Sequence, residues 1–338
     1  MSIQSGIDGI FHKDTAPKDV WNLYFDAECK NIVNNHNNPD FSFSNNEVFL
    51  FHCIFLDYTA SVINFNLDGA NIMHSECLFE RCSSFKGSAV YIDGYDCSIV
   101  QHRFCSHKCS AIRGHHSFCY MKTETTICLN YVDQSSACEC GISSGSGLFC
   151  HNYGRMRFSS TNMSKNIASS DACFGVRTSN FEKLNYSTIE RNYASNYRII
   201  DMISGNTYNF EYCNILKNVQ LGINDGIIFT NSPLVLNGCS IFENSNYGKM
   251  IYIIEYPKII VKNSYYDSLA SNKEITIENS YNSSKYNDYD YYYAYLCDLY
   301  PIWFNINSMN NKVKCTLRAF FCRSDYLRKL FVVLIYKQ

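Results

Sequence analysis

Four stretches decide the fold: Thr161-Asn162-Met163-Ser164-Lys165-Asn166, Ser187-Thr188-Ile189-Glu190-Arg191-Asn192, Cys213-Asn214-Ile215-Leu216-Lys217-Asn218 and Cys239-Ser240-Ile241-Phe242-Glu243-Asn244. They align without gaps, and the central apolar residue advances by 26 each time, from Met163 to Ile189, Ile215 and Ile241. Each begins with a small residue, places an apolar residue two positions on, and ends with Asn three further. A period of two is that of a strand whose alternate side chains face one way. Asn tolerates left-handed backbone, so Asn166, Asn192, Asn218 and Asn244 are expected to take that conformation at a sharp corner. Three residues before each small position along the chain, Leu184, Phe210, Leu236 and Val261 recur in step.

The pattern extends in both directions. Cys77-Leu78-Phe79-Glu80-Arg81-Cys82 is an earlier copy, Cys53-Ile54-Phe55 lies 24 residues before it, Phe104 follows Phe79 by 25, and Ser264-Tyr265-Tyr266 follows Cys239 by 25. A second marker of turn residues keeps a similar step: Asp68-Gly69 and Asp93-Gly94, then Thr178-Ser179-Asn180, Ser204-Gly205-Asn206, Thr230-Asn231-Ser232 and Tyr256-Pro257. Before these lie β-rich runs such as Ala89-Val90-Tyr91-Ile92 and Ile199-Ile200-Asp201-Met202-Ile203, and no unit carries an apolar stripe at helical spacing.

A strand-only unit of this size cannot bury its own apolar side, but stacked units can, at about 4.8 Å per coil. The expected fold is therefore all-β: a single-stranded, right-handed parallel β-helix of roughly nine or ten coils of ~25 residues. Met163, Ile189, Ile215 and Ile241 would form one interior column, and Ser187, Cys213, Cys239 and Ser264 another. Asn166, Asn192, Asn218 and Asn244 would form a corner ladder of hydrogen-bonded amides. The alternative is a leucine-rich-repeat solenoid, because Leu236-x-x-Cys239-x-Ile241-x-x-Asn244 fits that spacing. Against it stand the β-branched second run of each unit, the recurrence of the second turn, and the scarcity of Leu at the other consensus positions.

Gly87-Ser88-Ala89-Val90-Tyr91-Ile92, Gly248-Lys249-Met250-Ile251-Tyr252-Ile253, Phe79-x-x-Cys82 and Ile189-x-x-Asn192 resemble the paired motifs of pectin-lyase-like right-handed β-helices. They are similar to those of chlamydial polymorphic outer-membrane proteins and of trichomonad-type protist surface proteins. That resemblance covers about residues 41 to 285. It implies either a non-catalytic surface or adhesion rod, or a polysaccharide lyase or hydrolase, and a place at the cell surface or outside the cell.

Residues 1–40 are expected to form an N-terminal cap or arm. Pro17 opens a short amphipathic helix with Val20, Trp21, Tyr24, Ala27 and Ile32. Residues 41–285 form the β-helix. Residues 286–338 turn Tyr-rich and then basic, a C-terminal cap or a tail offering weak membrane contact. The chain's start has neither a basic segment nor an apolar core of the signal-peptide kind, and Leu330 to Tyr336 is too short to cross a bilayer. Read literally, that describes a cytosolic chain with reduced thiols. The sequons at Asn162, Asn185 and Asn282 are what an Asn- and Ser-rich chain yields by chance.

Net charge is −2, from 29 basic and 31 acidic residues, which gives no pull toward nucleic acid. The 18 Cys are too dilute for a disulfide miniprotein. His102, Cys105, His107, Cys109, His115, His116, Cys119, Cys138 and Cys140 make a zinc-like cluster, but strand alternation would split it between two faces. Structural filling by Cys is the better account. Asp68 with Asp93 is explained by the Gly that follows each. Asp201 and Asp225 stand 24 apart in a 26-residue register and do not align. No catalytic, cofactor or metal residues are therefore assigned. The expected function is a non-catalytic, monomeric binding protein for a glycan or a protein. The alternatives are a carbohydrate-active enzyme and a cytosolic scaffold.

Overall fold

The structure is a computed structural model that describes residues 17–26, 28–29, 31–34, 46–122, 127–222, 225–246, 249–255 and 258–283. The Tyr-rich and basic stretch 286–338, Ala27, and the Gly248 and Tyr256-Pro257 positions of the repeat lie outside them.

The chain winds as a parallel β-solenoid, and three long sheets run through it. The first holds eleven strands, from Asn31–Asn34 and Glu47–Phe51 to Ile275–Glu278; the second holds ten, from Ile54–Leu56 to Tyr281–Asn282; the third holds eight, from Ile63–Phe65 to Lys249–Ile253. Eight coils therefore carry strands on all three faces, with partial coils beyond them accounting for the larger expected number. The only α-helix among the described residues is Pro17–Trp21, so the leucine-rich-repeat alternative is discarded. Ile32, expected on that helix, lies instead in the first strand.

The columns stack as the 26-residue step requires. Met163 pairs with Ile189, Ile189 with Ile215 and Ile215 with Ile241, and all four are fully buried. Three expectations need correction. Phe104 does not lie over Phe79, whose partner is Ser106, because that coil is 27 residues long rather than 25. The second marker slips: Ile200 pairs with Ile228 and Ile228 with Ile251, so a coil of 28 precedes one of 23. Asp68 and Asp93 are likewise out of step, since Phe65 pairs with Ile92.

The third correction concerns the corners. The left-handed residue is not the Asn but the residue before it: Lys165, Arg191, Lys217 and Glu243 have φ of +57°, +56°, +56° and +54°. Asp57, Arg81, Lys108 and Glu139 do the same on earlier coils, and His52, Glu76, Arg103, Gln134, Ser160, Tyr186, Tyr212, Gly238, Asn263 and Asn279 do so at the other end of the second sheet. Left-handed backbone costs a non-glycine residue about 1–2 kcal/mol. That cost is offset by what the next residue does. At the first corner it is a small donor whose hydroxyl or thiol reaches backbone carbonyls: Ser187 donates to Asn185 O (2.9 Å), Cys213 to Leu184 O and Glu211 O (3.4 Å each), and Ser264 to Lys262 O (2.8 Å). This explains why Ser and Cys interchange in the repeat.

At the second corner the donor is Asn. Asn166, Asn192 and Asn218 each give one Nδ2 hydrogen to the next Asn Oδ1 (2.9, 2.9 and 3.0 Å). Nδ2 of Asn166, Asn192, Asn218 and Asn244 also donates to the carbonyls of Ala137, Met163, Ile189 and Ile215 (3.1, 2.9, 2.9 and 2.7 Å). Cys82, Cys109 and Cys140 take the same place on earlier coils, donating to Phe55 O, Phe79 O and Ser106 O. Cys213→Ser is therefore expected to leave the urea midpoint nearly unchanged. Cys213→Val, which lacks the donor, should cost about 1 kcal/mol; equal midpoints for the two variants would refute the donor role.

Residues 17–26 do not plug the end of the core. Val20, Trp21 and Phe25 lie on the outside of the first sheet, against Phe49, Phe51, Met73, Val100, Leu129 and Tyr131. Asn185 is buried, so the second sequon is not presented to solvent.

Candidate functional site

The outward positions of the third sheet form one register column: Asn64, Tyr91, Phe118, Cys150, Gly175, Asp201, Phe229 and Tyr252. Two aromatic pairs flank its middle. The rings of Tyr91 and Phe118 stack at 5.9 Å, with Lys86 Nζ 5.0 Å from the Phe118 centroid. Those of Phe229 and Tyr252 stack at 5.8 Å and 3°, with the Arg198 guanidinium 4.0 Å above Phe229. Between them the column falls to Gly175, which has no side chain. Phe118 and Phe229 are four rungs apart, about 19 Å at the usual strand spacing.

Beside Gly175 three carboxylates converge on Arg198. Its Nε lies 3.3 Å from Asp171 Oδ1, Nη2 2.9 Å from Asp201 Oδ2 and Nη1 3.7 Å from Asp225 Oδ1. Asp171 and Asp225 come from the coils on either side of Arg198 and Asp201. Sequence spacing discouraged this grouping, but the long guanidinium spans the mismatch. Three acids against one Arg198 leave an excess of negative charge. Burial, reinforced by Asp201 and opposed by Arg198, pushes the Asp171 carboxyl up to about 7. Burial also raises that of Asp201, against the pull of Arg198 and Arg177. Asp201 Oδ1 is buried with no hydrogen-bond partner. Asp171 itself sits at φ +55°, a strained backbone at the edge of the cluster.

A second polar group lies inside the coil. The inward column of the first sheet carries His74 directly against Gln101. Gln101 Oε1 accepts from His116 Nε2 (2.9 Å) and His74 Nε2 (3.3 Å). Gln101 Nε2 points to Ser117 Oγ and His151 Nε2 (3.4 Å each), and Ser117 Oγ donates to His151 Nε2 (2.6 Å). These contacts make His74 and His116 Nε2–H donors and leave His151 protonated on Nδ1, so the whole layer is neutral. The Nδ1 atoms of all three imidazoles are buried without partners.

The zinc-like cluster is dispersed. His116 belongs to the interior layer, His115 Nδ1 accepts from Ala111 N (3.1 Å), His102 Nδ1 meets Ser75 Oγ (2.8 Å), and His107 faces Glu139 at 3.4 Å on the outside. Among the described residues, no group of three or more His, Cys, Asp or Glu is placed to hold a metal ion. Sequence reading missed His74, Gln101 and His151; the signal available was polar residues at inward positions of otherwise apolar strands.

Among known proteins, no family model matches the chain, and neither a curated protein nor a solved structure does. Among the described residues no helix is long and apolar enough to cross a membrane.

Proposed function

We propose that the chain is a non-catalytic binding protein that holds a glycan along the outer face of its third sheet. The supporting observation is the column with Tyr91 and Phe118 on one side of its middle, Phe229 and Tyr252 on the other, and the Asp171, Asp201 and Asp225 carboxylates beside the Gly175 gap. Half-exposed Tyr91, Phe118 and Tyr252 offer ring faces to the apolar face of a sugar, and carboxylates accept hydrogen bonds from hydroxyls. The four rungs between the aromatic pairs suit an extended oligosaccharide rather than a small compact ligand. The pectin-lyase-like, right-handed form of the coil belongs to this proposal and is supported by the motif resemblance of the repeats. Binding at the cell surface or outside the cell is part of this proposal and is supported only by the resemblance of the repeat motifs to those of surface β-helices. A cytosolic scaffold that binds a protein partner is the reading to prefer if the native chain is found in the cytosol.

The test is titration calorimetry against glycans selected on an array. Tyr91→Ala with Phe118→Ala should weaken binding at least tenfold without changing the strand signal in circular dichroism. Unchanged affinity, or no glycan bound, would remove the proposal. One feature favours a second reading, a glycoside hydrolase: the Asp171 carboxyl, pushed up to about 7 by burial and by Asp201 and sharing Arg198 with it, resembles a general acid paired with a base. Release of reducing sugar that disappears in Asp171→Asn would establish that reading instead.

A further inference from the structure

The strands Asn71–Ser75, Ser98–His102 and Leu129–Asp133 hold two things at once. Their inward residues His74 and Gln101 belong to the neutral imidazole layer. Their outward residues Met73, Val100, Leu129 and Tyr131 hold the helix-bearing segment 17–26. In that segment the Trp21 ring lies 4.3 Å from Phe25 and 5.9 Å from Phe49, and Tyr24 donates its hydroxyl to Asp133 Oδ2 at 3.1 Å.

The layer has no means of accepting a proton quietly. His116 stacks on Phe104 at 4.3 Å and 2°, His74 meets Phe79 edge-on at 5.2 Å, and His151 stacks on Phe158 at 5.9 Å. Gln101, Ser117 and the Cys119 thiol next to His151 in register are the polar groups facing it, and all three are neutral. Among the described residues, no carboxylate meets any of the three rings through a hydrogen bond or an ion pair. On the outer side the charged groups around the helix segment include Glu76, Arg103, Asp133 and Arg157, the Lys18–Glu28 pair, and Arg155 and Glu182 at Tyr131, with His102 beside Tyr24. A first proton on the layer would be an uncompensated charge in a dry core, and a second would repel the first.

We propose that the His74–Gln101–His116–His151 layer is an acid-operated latch. Protonation inside the coil loosens strands Asn71–Ser75 and Ser98–His102 and frees residues 17–26 from their outer face.

The sign follows from linkage. Burial holds the His74 and His151 imidazoles down at about 3, and His116 well below the ordinary range, where burial is joined by repulsion from His74 and His151. The opened state titrates near 6.5, so the layer's contribution is complete above that value and is lost as pH falls below it. At pH 5 His74 and His151 each favour the opened state about thirtyfold, and His116 acts in the same direction. His102 and His115, held at about 3 and about 4, add in the same direction. The raised carboxyls of Asp171 and Asp201 act oppositely, because acid relieves their repulsion, so the later coils are spared.

The experiment uses the full chain with Trp303→Phe, so that Trp21 is the one tryptophan reporting. Its emission should shift to the red between pH 6.5 and 4.5. The same chain carrying His74→Leu, Gln101→Leu, His116→Phe and His151→Val keeps His102 and His115 and should shift by less than half as much across that range. No shift in the parent, or a shift at least half as large in the variant, overturns the latch. Amide exchange on the parent alone gives an independent reading. Between pH 7.5 and 5, after correction for intrinsic rates, strands Asn71–Ser75 and Ser98–His102 should lose at least tenfold more protection than Thr188–Glu190, Asn214–Leu216 and Ser240–Phe242. Equal loss in the two regions would overturn it.

Discussion

A chain carrying Ile215→Asp is expected to be largely unfolded at pH 7. Ile215 is fully buried, with Ile189 and Ile241 next to it in the same column. Removing an isoleucine from such a position costs about 2–5 kcal/mol. A buried carboxyl with no partner has its pKa raised by up to about 3–5 units, which adds about 4 kcal/mol at pH 7, where the folded chain takes up the proton instead of burying the charge. Together these rival the whole stability of a typical domain, about 5–15 kcal/mol. The charge penalty has a definite sign. The introduced group titrates higher in the folded chain than in the unfolded one, so the penalty is absent below about pH 4 and grows as pH rises toward the folded value. Asn209→Asp, at an outward and half-exposed position of the first sheet, is the control and should stay within about 0.5 kcal/mol. Urea titration followed by far-ultraviolet circular dichroism measures both. Parent-like unfolding of Ile215→Asp would mean that the column is not a dry interior.

The second large effect is expected from Asn192→Leu. The side chain of Asn192 is buried and makes four hydrogen bonds: Nδ2 donates to Met163 O and to Asn218 Oδ1 at 2.9 Å each, while Oδ1 accepts from Asn166 N at 3.0 Å and Asn166 Nδ2 at 2.9 Å. Leucine makes none of them and strands Asn166 N and Met163 O away from water. Each orphaned group costs about 1–3 kcal/mol, so a total near 3–5 kcal/mol is expected. Asn192→Cys should cost less, because a thiol fills this corner at Cys82, Cys109 and Cys140. A double-mutant cycle with Asn218→Leu checks that the rungs act as one ladder. The second substitution should cost less than it does alone, by about 0.5–3 kcal/mol. Strict additivity would mean that the amides act independently.

The sequence carried the coil step because inward residues repeat only where coil length is constant. From Ser136 to Ser240 the second sheet advances by 26 at every rung, and there the columns and the Asn ladder were read correctly. Where the length varied, register was lost. Leu78 to Cys105 takes 27 residues rather than 25, which hid the place of Phe104 at the corner with Cys77. The left-handed corner residues were assigned one position late, because a Lys or Arg at positive φ carries no compositional signal whereas the Asn beside it does. The acid cluster escaped for a different reason. Asp171, Asp201 and Asp225 are out of phase by several residues, and Arg198 brings them together only because neighbouring coils shift around it. The imidazole layer draws on residues as distant as His74 and His151, whose meeting follows from the stacking and not from any local motif.

The most direct test of the stacking uses spin labels on corner residues whose side chains are exposed or half-exposed. Asp57 to Lys165 spans four rungs, Asp57 to Lys217 six, and Asp57 to Glu243 seven. At about 4.8 Å per rung the backbone separations should be near ~19, ~29 and ~34 Å. Double electron–electron resonance on the three doubly labelled chains should give distances that rise in that order by one constant increment per coil. Distances that fail to grow with coil number, or that collapse to a common value, would contradict a chain wound as stacked parallel rungs.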